Sequence, residues 1–152
     1  MADFSPSPSS SGFFNICVLH SVAAATIGAL MMFYLEAAAE VGHGPETAAR
    51  LLQGSSPRDQ MLIHNADSFA GLLLCAIGLL LFMVAFVEDR DFQGFFAKGC
   101  VLLHAAVALW RLSFERRVDD LAAHWPRQLV GDLLLGLSWV IFLAHSWKEK
   151  YD

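Results

Sequence analysis

The stretch ADSFAGLLLCAIGLLLFMVAFV, residues 66–87, carries one charged side chain, Asp67, at its second position. A helix needs about 20 consecutive apolar residues, at about 1.5 Å rise each, to cross the hydrocarbon core of a bilayer. A helix in a small soluble domain is normally apolar along one stripe only. This stretch therefore predicts a membrane-spanning helix, and it decides the class of fold.

Three further apolar segments have the length of a span, at residues 13–35, 95–113 and 129–147. The Glu-Asp-Arg-Asp turn at 88–91 is so short that the helices on either side of it must be antiparallel neighbours. The sequence predicts an all-α membrane protein in which four transmembrane helices form an antiparallel up-down bundle. In such a bundle both termini and the 88–91 turn lie on one side, here called the tail side, and the two longer connections lie on the other, the loop side.

The remaining parts of the chain are short. Residues 1–12 are rich in Ser and Pro and contain no Lys or Arg, which predicts a disordered N-terminal tail rather than a signal peptide. Residues 13–147 form one four-span domain, and residues 148–152 form a short C-terminal tail. Helix signals also lie between the spans: Pro45 opens and Gly54 closes a predicted surface helix, and Ser56 is the predicted N-cap of a second helix that starts near Pro57.

Composition restricts the partners of the chain. Of its 152 residues 56 % are hydrophobic, and the formal net charge is -5. Membrane lipid is therefore the expected environment, and nothing favours a nucleic-acid surface. The three cysteines lie in apolar segments without metal-ligand spacing, which favours a packing role. The sequence leaves oligomerisation open.

A polar layer is predicted near the loop-side edge of the membrane. Asp67, Arg111 and Asp132 each lie within about one turn of that edge on three different spans, so they can meet at one depth. An unpaired guanidinium there is costly, and we predict that Arg111 contacts at least one of the two aspartates. Five further side chains are predicted to surround them: Glu36, Glu40, His43, His64 and Glu115.

Several chemistries are compatible with this layer. It can be an ion-paired structure that fixes helix register, or it can bind a small or lipidic ligand, a cation or a proton. The Glu-Val-Gly-His sequence at 40–43 has the spacing found in carboxylate-bridged di-iron bundles, but the chain has no second copy of that motif. We therefore expect no metal.

Two histidines are predicted deeper in the membrane. His20 lies about seven residues into the first span and His104 about nine residues into the third, so antiparallel helices bring them to a similar depth. Such a pair can ligate haem axially, but interhelical hydrogen bonds explain two intramembrane histidines without a cofactor. We expect no haem, and a bis-His redox protein remains a third functional class.

The C-terminal sequence Lys-Glu-Lys-Tyr-Asp resembles the KxKxx dilysine retrieval signal of endoplasmic reticulum membrane proteins. That signal works on a cytosolic tail, which would place both termini in the cytosol. The opposite orientation is favoured by the Lys and Arg residues, four on the tail side against six on the loop side. We predict cytosolic termini from the dilysine-like tail; the opposing count is weakened because Arg111 is expected to lie inside the bundle rather than to count as a loop charge.

Four short spans, acidic residues and His at the helix mouths, and the dilysine-like tail together resemble two small four-span families, the DoxX-like proteins and the EXPERA group of sterol isomerases and the sigma-2 receptor. The similarity is architectural and covers about residues 13–147. In the sterol isomerases, His and acidic residues inside the bundle handle a carbocation, and the resemblance offers Glu36, Glu40, His64 and Asp67 as analogues without an aligned motif.

These observations predict a small, non-enzymatic, multi-pass membrane protein of an internal membrane, such as the endoplasmic reticulum, whose polar layer binds a small or lipidic ligand. The alternative is an enzyme that modifies a lipid or sterol by carboxylate and His acid-base chemistry.

Overall fold

The computed structural model describes residues 8–117 and 125–151, and the described part of the chain is helical. Six α-helices follow one another: α1 (Pro8–Phe33), α2 (Leu35–His43), α3 (Pro45–Gln53), α4 (Pro57–Val84), α5 (Arg90–Ser113) and α6 (Trp125–Tyr151). A short 3₁₀ turn, Glu115–Arg117, follows α5. Residues 1–7, which belong to the predicted tail, and residues 118–124, which belong to the last connection, lie outside the described residues.

Four of these helices, α1, α4, α5 and α6, are long and apolar enough to cross a membrane. Of the most apolar eighteen-residue stretch in each, only 22 %, 11 %, 17 % and 11 % of the residues are buried inside the protein. Large apolar side chains such as Phe95, Leu79 and Leu134 are 76 %, 61 % and 62 % exposed. Because so much apolar surface is left uncovered by protein, the helices have the character of lipid-facing spans.

The helix ends follow local signals in the sequence. The Ser56 hydroxyl accepts a hydrogen bond from the Asp59 backbone N–H at 3.2 Å, which confirms the predicted cap at the start of α4. The Asp89 carboxylate accepts from the backbone N–H groups of Asp91 and Phe92 and begins α5 in the same way. Gly44 and Gly54, with φ of 81° and 59°, terminate α2 and α3. Residues that carry a Cβ atom rarely adopt positive φ, so glycine is favoured at both positions.

Glycines on α1 and α4 allow the two helix backbones to touch. A Cβ atom added at Gly28 would lie 2.5 Å from the Gly71 carbonyl oxygen, and one added at Gly78 would lie 2.9 Å from the Ser21 carbonyl oxygen. The Ser21 hydroxyl donates a hydrogen bond of 2.7 Å to the Gly78 carbonyl. The face of α4 that carries Gly71 and Gly78 therefore packs against α1.

The main hydrophobic core lies where the predicted tail-side ends of the four long helices meet. It contains side chains from α1, α5 and α6 and from the residue that directly follows α4: Phe13, Cys17, Ala85, Ala97, Trp139 and Phe142. The Phe13 ring packs against the rings of Phe96, Trp139 and Phe142 at centroid distances of 6.1, 6.0 and 5.5 Å. Edge-to-face and tilted aromatic packing of this kind fixes the helices relative to one another at this end.

Candidate functional site: two polar clusters and a buried imidazole pair

The first polar cluster centres on Arg111, near the end of α5. Its Nε donates to Asp132 Oδ2 on α6 at 2.6 Å, and its Nη1 donates to Glu115 Oε1 at 2.6 Å and to Gln128 Oε1. The prediction that Arg111 contacts at least one aspartate is confirmed. The side chains of Arg111, Asp132 and Glu115 are only 19 %, 18 % and 10 % exposed, so these ion pairs are largely shielded from solvent.

Gln128 extends this cluster to α2. Its side-chain amide donates to the Gly42 carbonyl at 3.2 Å and lies 3.2 Å from His43 Nδ1. A Cβ atom at Gly42 would lie 3.2 Å from the same amide nitrogen, so the close approach depends on this glycine. Sequence reasoning did not select Gln128. Its position four residues before Asp132, on the same helix face, was the signal that could have identified it.

Asp67 lies apart from Arg111, and the described residues contain no ion pair between the two. The half-buried Asp67 is instead close enough to His64 and His43 to interact with them electrostatically. The predicted single layer is therefore divided into two clusters, with His43 between them. His43 takes this position because the end of α2 lies close both to Gln128 of α6 and to Asp67 of α4.

The second cluster surrounds an open pocket of about 310 Å³, which lies between α2, α3 and the start of α4. Three side chains that the sequence predicted for the polar layer line it together: Glu36, Glu40 and His64. The other lining residues are polar or apolar and uncharged: Pro45, Ala48, Ala49, Leu52, Gln53 and Gln60. Glu36 and Glu40 are one turn apart on α2, so both carboxylates lie on the same side of that helix.

The chemistry of this pocket follows from its walls. Pro45 and Ala49 of α3 are exposed and form its apolar side, and Ala48 and Leu52 are buried behind them. Glu36, Glu40 and His64 are exposed and supply two acidic groups and one imidazole around it. A pocket with an apolar surface and an acidic rim attracts a cationic group that carries an apolar portion.

The histidine pair predicted in the spans is also brought together. The ring centroids of His20 and His104 are 5.7 Å apart in an edge-to-face arrangement, and Trp139 packs against His20 at 5.1 Å. Axial ligation of haem places the porphyrin iron between two imidazole nitrogens. In this structure the two rings instead pack edge to face.

Among the described residues, no group of three or more His, Cys, Asp or Glu side chains is arranged to hold a metal ion. Glu40 and His43, the Glu-x-x-His residues, instead face different surroundings: Glu40 lines the pocket and His43 contacts Gln128.

The fold and these clusters define an all-helical protein with four potential membrane spans and a polar, partly acidic loop-side end. Residues 8–140 match a family described as a domain of unknown function, DUF7865. The match covers most of the chain, and the chain belongs to this family. No curated protein and no solved structure matches it.

Proposed function

We propose that this protein is a multi-pass membrane protein, with its four long helices arranged as an antiparallel up-down bundle, that binds an amphiphile with a cationic head group in the loop-side pocket. The observation that carries the proposal is the association of Glu36 and Glu40 with the apolar surface of α3 around one pocket. Binding without chemical conversion of the ligand is the function that this arrangement supports best.

The charge of the pocket supports a cationic head group. Glu36 and Glu40 are four residues apart on one helix, a spacing at which like charges repel each other by about 0.2–0.5 kcal/mol. A cation between them would remove this repulsion and add its own attraction, about 1 kcal/mol per carboxylate at 4 Å in water.

The position of the pocket supports an amphiphile. His64 and Gln60 lie on the first turns of α4, whose later turns form the most apolar span. A ligand whose head group lies between the carboxylates can therefore extend its chain along the lipid-facing side of the helices. A water-soluble cation would make no use of the apolar α3 surface.

A binding experiment tests the proposal. Purified protein in lipid nanodiscs is titrated with a fluorescent long-chain amine and with its uncharged N-acyl counterpart, which has the same chain. We expect saturable binding of the amine only, and about tenfold weaker binding for Glu36→Gln/Glu40→Gln, because two attractions of about 1 kcal/mol are lost and partly replaced by hydrogen bonding.

Glu46→Gln is the matched control. Glu46 is an exposed acid on α3 that does not line the pocket. This variant also replaces a carboxylate by an amide, and we expect it to bind the amine as the unaltered protein does. Equal binding of the amine and its uncharged counterpart would contradict the proposal. Conversion of either lipid, detected by mass spectrometry, would replace it with the enzymatic alternative in which His64 and the carboxylates act as acid and base.

A further inference from the structure

His20 and Trp139 are buried side by side, away from the loop-side pocket. His20 is 6 % exposed and Trp139 is fully buried, and their ring centroids are 5.1 Å apart. The His104 ring also packs against the His20 ring, at a centroid distance of 5.7 Å. Two buried groups capable of hydrogen bonding therefore lie between α1, α5 and α6, with the half-buried His104 next to them.

The hydrogen-bonding state of His20 follows from its backbone partner. His20 Nδ1 lies 2.9 Å from the Ile16 carbonyl oxygen, which can only accept, so Nδ1 carries the proton and donates. In the neutral imidazole this leaves Nε2 as a hydrogen-bond acceptor. That atom is buried and has no hydrogen-bond partner among the described residues.

Trp139 carries a buried donor without a hydrogen-bond partner in the described part of the chain. Its indole Nε1–H is a donor that cannot accept, and it too is buried without a partner among the described residues. An unpaired donor or acceptor is costly in any protein interior, and more so in the hydrocarbon region of a membrane. One unmatched donor and one unmatched acceptor are therefore carried by neighbouring rings.

We propose that His20, His104 and Trp139 form a binding site for one small, uncharged molecule that both donates and accepts hydrogen bonds, and that water is its resident ligand. The molecule accepts from Trp139 Nε1–H and donates to His20 Nε2, which satisfies both atoms at once. His104 supplies the third polar group of the site. Buried waters in proteins typically make about three such bonds to otherwise unsatisfied groups.

The surroundings explain why the site holds a compact ligand. On its tail side the aromatic core closes it, with Phe13 and Phe96 both packed against Trp139. On the other side, His104 packs against Gly136, where an added Cβ atom would lie 3.1 Å from the His104 Cβ. Bulky ligands are excluded by these contacts, whereas a molecule the size of water needs only the space of one probe sphere.

The experiment uses the full chain, labelled with ¹⁵N and held in lipid nanodiscs. The indole signal of Trp139 is assigned by its loss in Trp139→Phe, and magnetisation transfer from water to each indole proton is measured by NOE and ROE spectroscopy. We expect a dipolar contact between a long-lived water and the Trp139 indole proton. In the ROE spectrum a cross-peak from dipolar contact and one from hydrogen exchange have opposite signs, so the two processes can be distinguished.

Two variants test the geometry. His20→Phe removes the acceptor and should abolish the contact, whereas His145→Phe, an exposed position on α6, should retain it. Unchanged signals of the exposed Trp110 and Trp147 show that each variant is folded.

Two results would overturn the proposal. A scalar coupling between Trp139 Nε1 and His20 Nε2 would show a direct hydrogen bond, and absence of any water contact at Trp139 in the unaltered protein would show that water is not the ligand. Both results come from the unaltered chain, so they do not depend on the folding of a variant.

Discussion

Arg111 shows how a single charged residue can be accommodated at the mouth of an apolar helix bundle. Its guanidinium donates to three oxygen acceptors, which lie on α6 and in the 3₁₀ turn after α5. A planar guanidinium suits this role because its donors point in several fixed directions. Asp132 and Glu115 in turn need the positive charge of Arg111, because both carboxylates are largely shielded from water.

This dependence gives a prediction at the residue scale. Arg111→Met retains much of the side-chain length and removes the charge, which leaves Asp132 and Glu115 close together without their shared cation. We expect a loss of about 3 kcal/mol in the free energy of unfolding, at the low end for a broken buried pair because the side chains are 10–19 % exposed. Unfolding by sodium dodecyl sulfate, followed by circular dichroism, measures it.

The matched control removes all three charged groups. Arg111→Met/Asp132→Leu/Glu115→Leu leaves no unpaired charge behind, so its stability should exceed that of Arg111→Met alone. A triple variant that is as unstable as Arg111→Met, or less stable, would contradict this expectation. It would mean that the ion pairs contribute net stability and do more than offset the cost of burying their own charges.

At the scale of elements, the α1–α4 pair depends on backbone contact rather than on interlocking large side chains. Gly28 and Gly71 approach each other so closely that a Cβ atom on either would lie 2.5–2.6 Å from the carbonyl oxygen of the other. Cys75 lies beside the same contact, with its Sγ 3.7 Å from the Ala25 carbonyl oxygen. In lipid, where hydrophobic burial gives little drive for helix association, such close packing is a main source of stability.

We expect Gly28→Ala to destabilise the protein by about 1–3 kcal/mol, because the obstructing atoms belong to the backbone and the helices must separate. Gly99→Ala is the control: a Cβ atom there meets nothing within 4 Å, so the better helix propensity of Ala should raise stability by up to about 1 kcal/mol. Thermal unfolding of both variants in the same detergent measures the difference. Equal stability of the two variants would refute the role given to this contact.

At the scale of the whole molecule, the positions of the helix ends bear on topology. Phe14 on α1 contacts Phe86 after α4, and Phe13 contacts Phe96 on α5 and Phe142 on α6. At the other end, Gln128 of α6 contacts the end of α2. The antiparallel bundle proposed above would place the N-terminus, the 88–91 turn and the C-terminus together on one side of the membrane.

We predict that this side is cytosolic, because the dilysine-like C-terminus would be read there. A short split-fluorescent-protein tag after Asp152 should be complemented by a cytosolic partner, whereas the same tag inserted at Ser55 should be complemented only by a lumenal one. The Ser55 position lies in the exposed connection between α3 and α4 and serves as the internal control. Complementation of the C-terminal tag from the lumen alone would reverse the orientation.

Local sequence determined the helices themselves. The apolar runs specify spans by their length, and Ser56, Asp89, Pro45 and Gly54 mark helix ends, because caps, prolines and positive-φ glycines act on their immediate neighbours. The pairing of Arg111 with an aspartate was also predictable, since a cation near the membrane edge requires an anion and few were available.

Only the tertiary structure decided how the helices are rotated and which polar groups meet. A span that is apolar on every face carries little information about which face is inward, so the division of the polar layer into two clusters and the joining of Glu36, Glu40 and His64 around one pocket did not follow from periodicity. The same holds for His20 and Trp139. Their contact depends on the aromatic packing of three helices, whereas a sequence pattern describes one helix at a time.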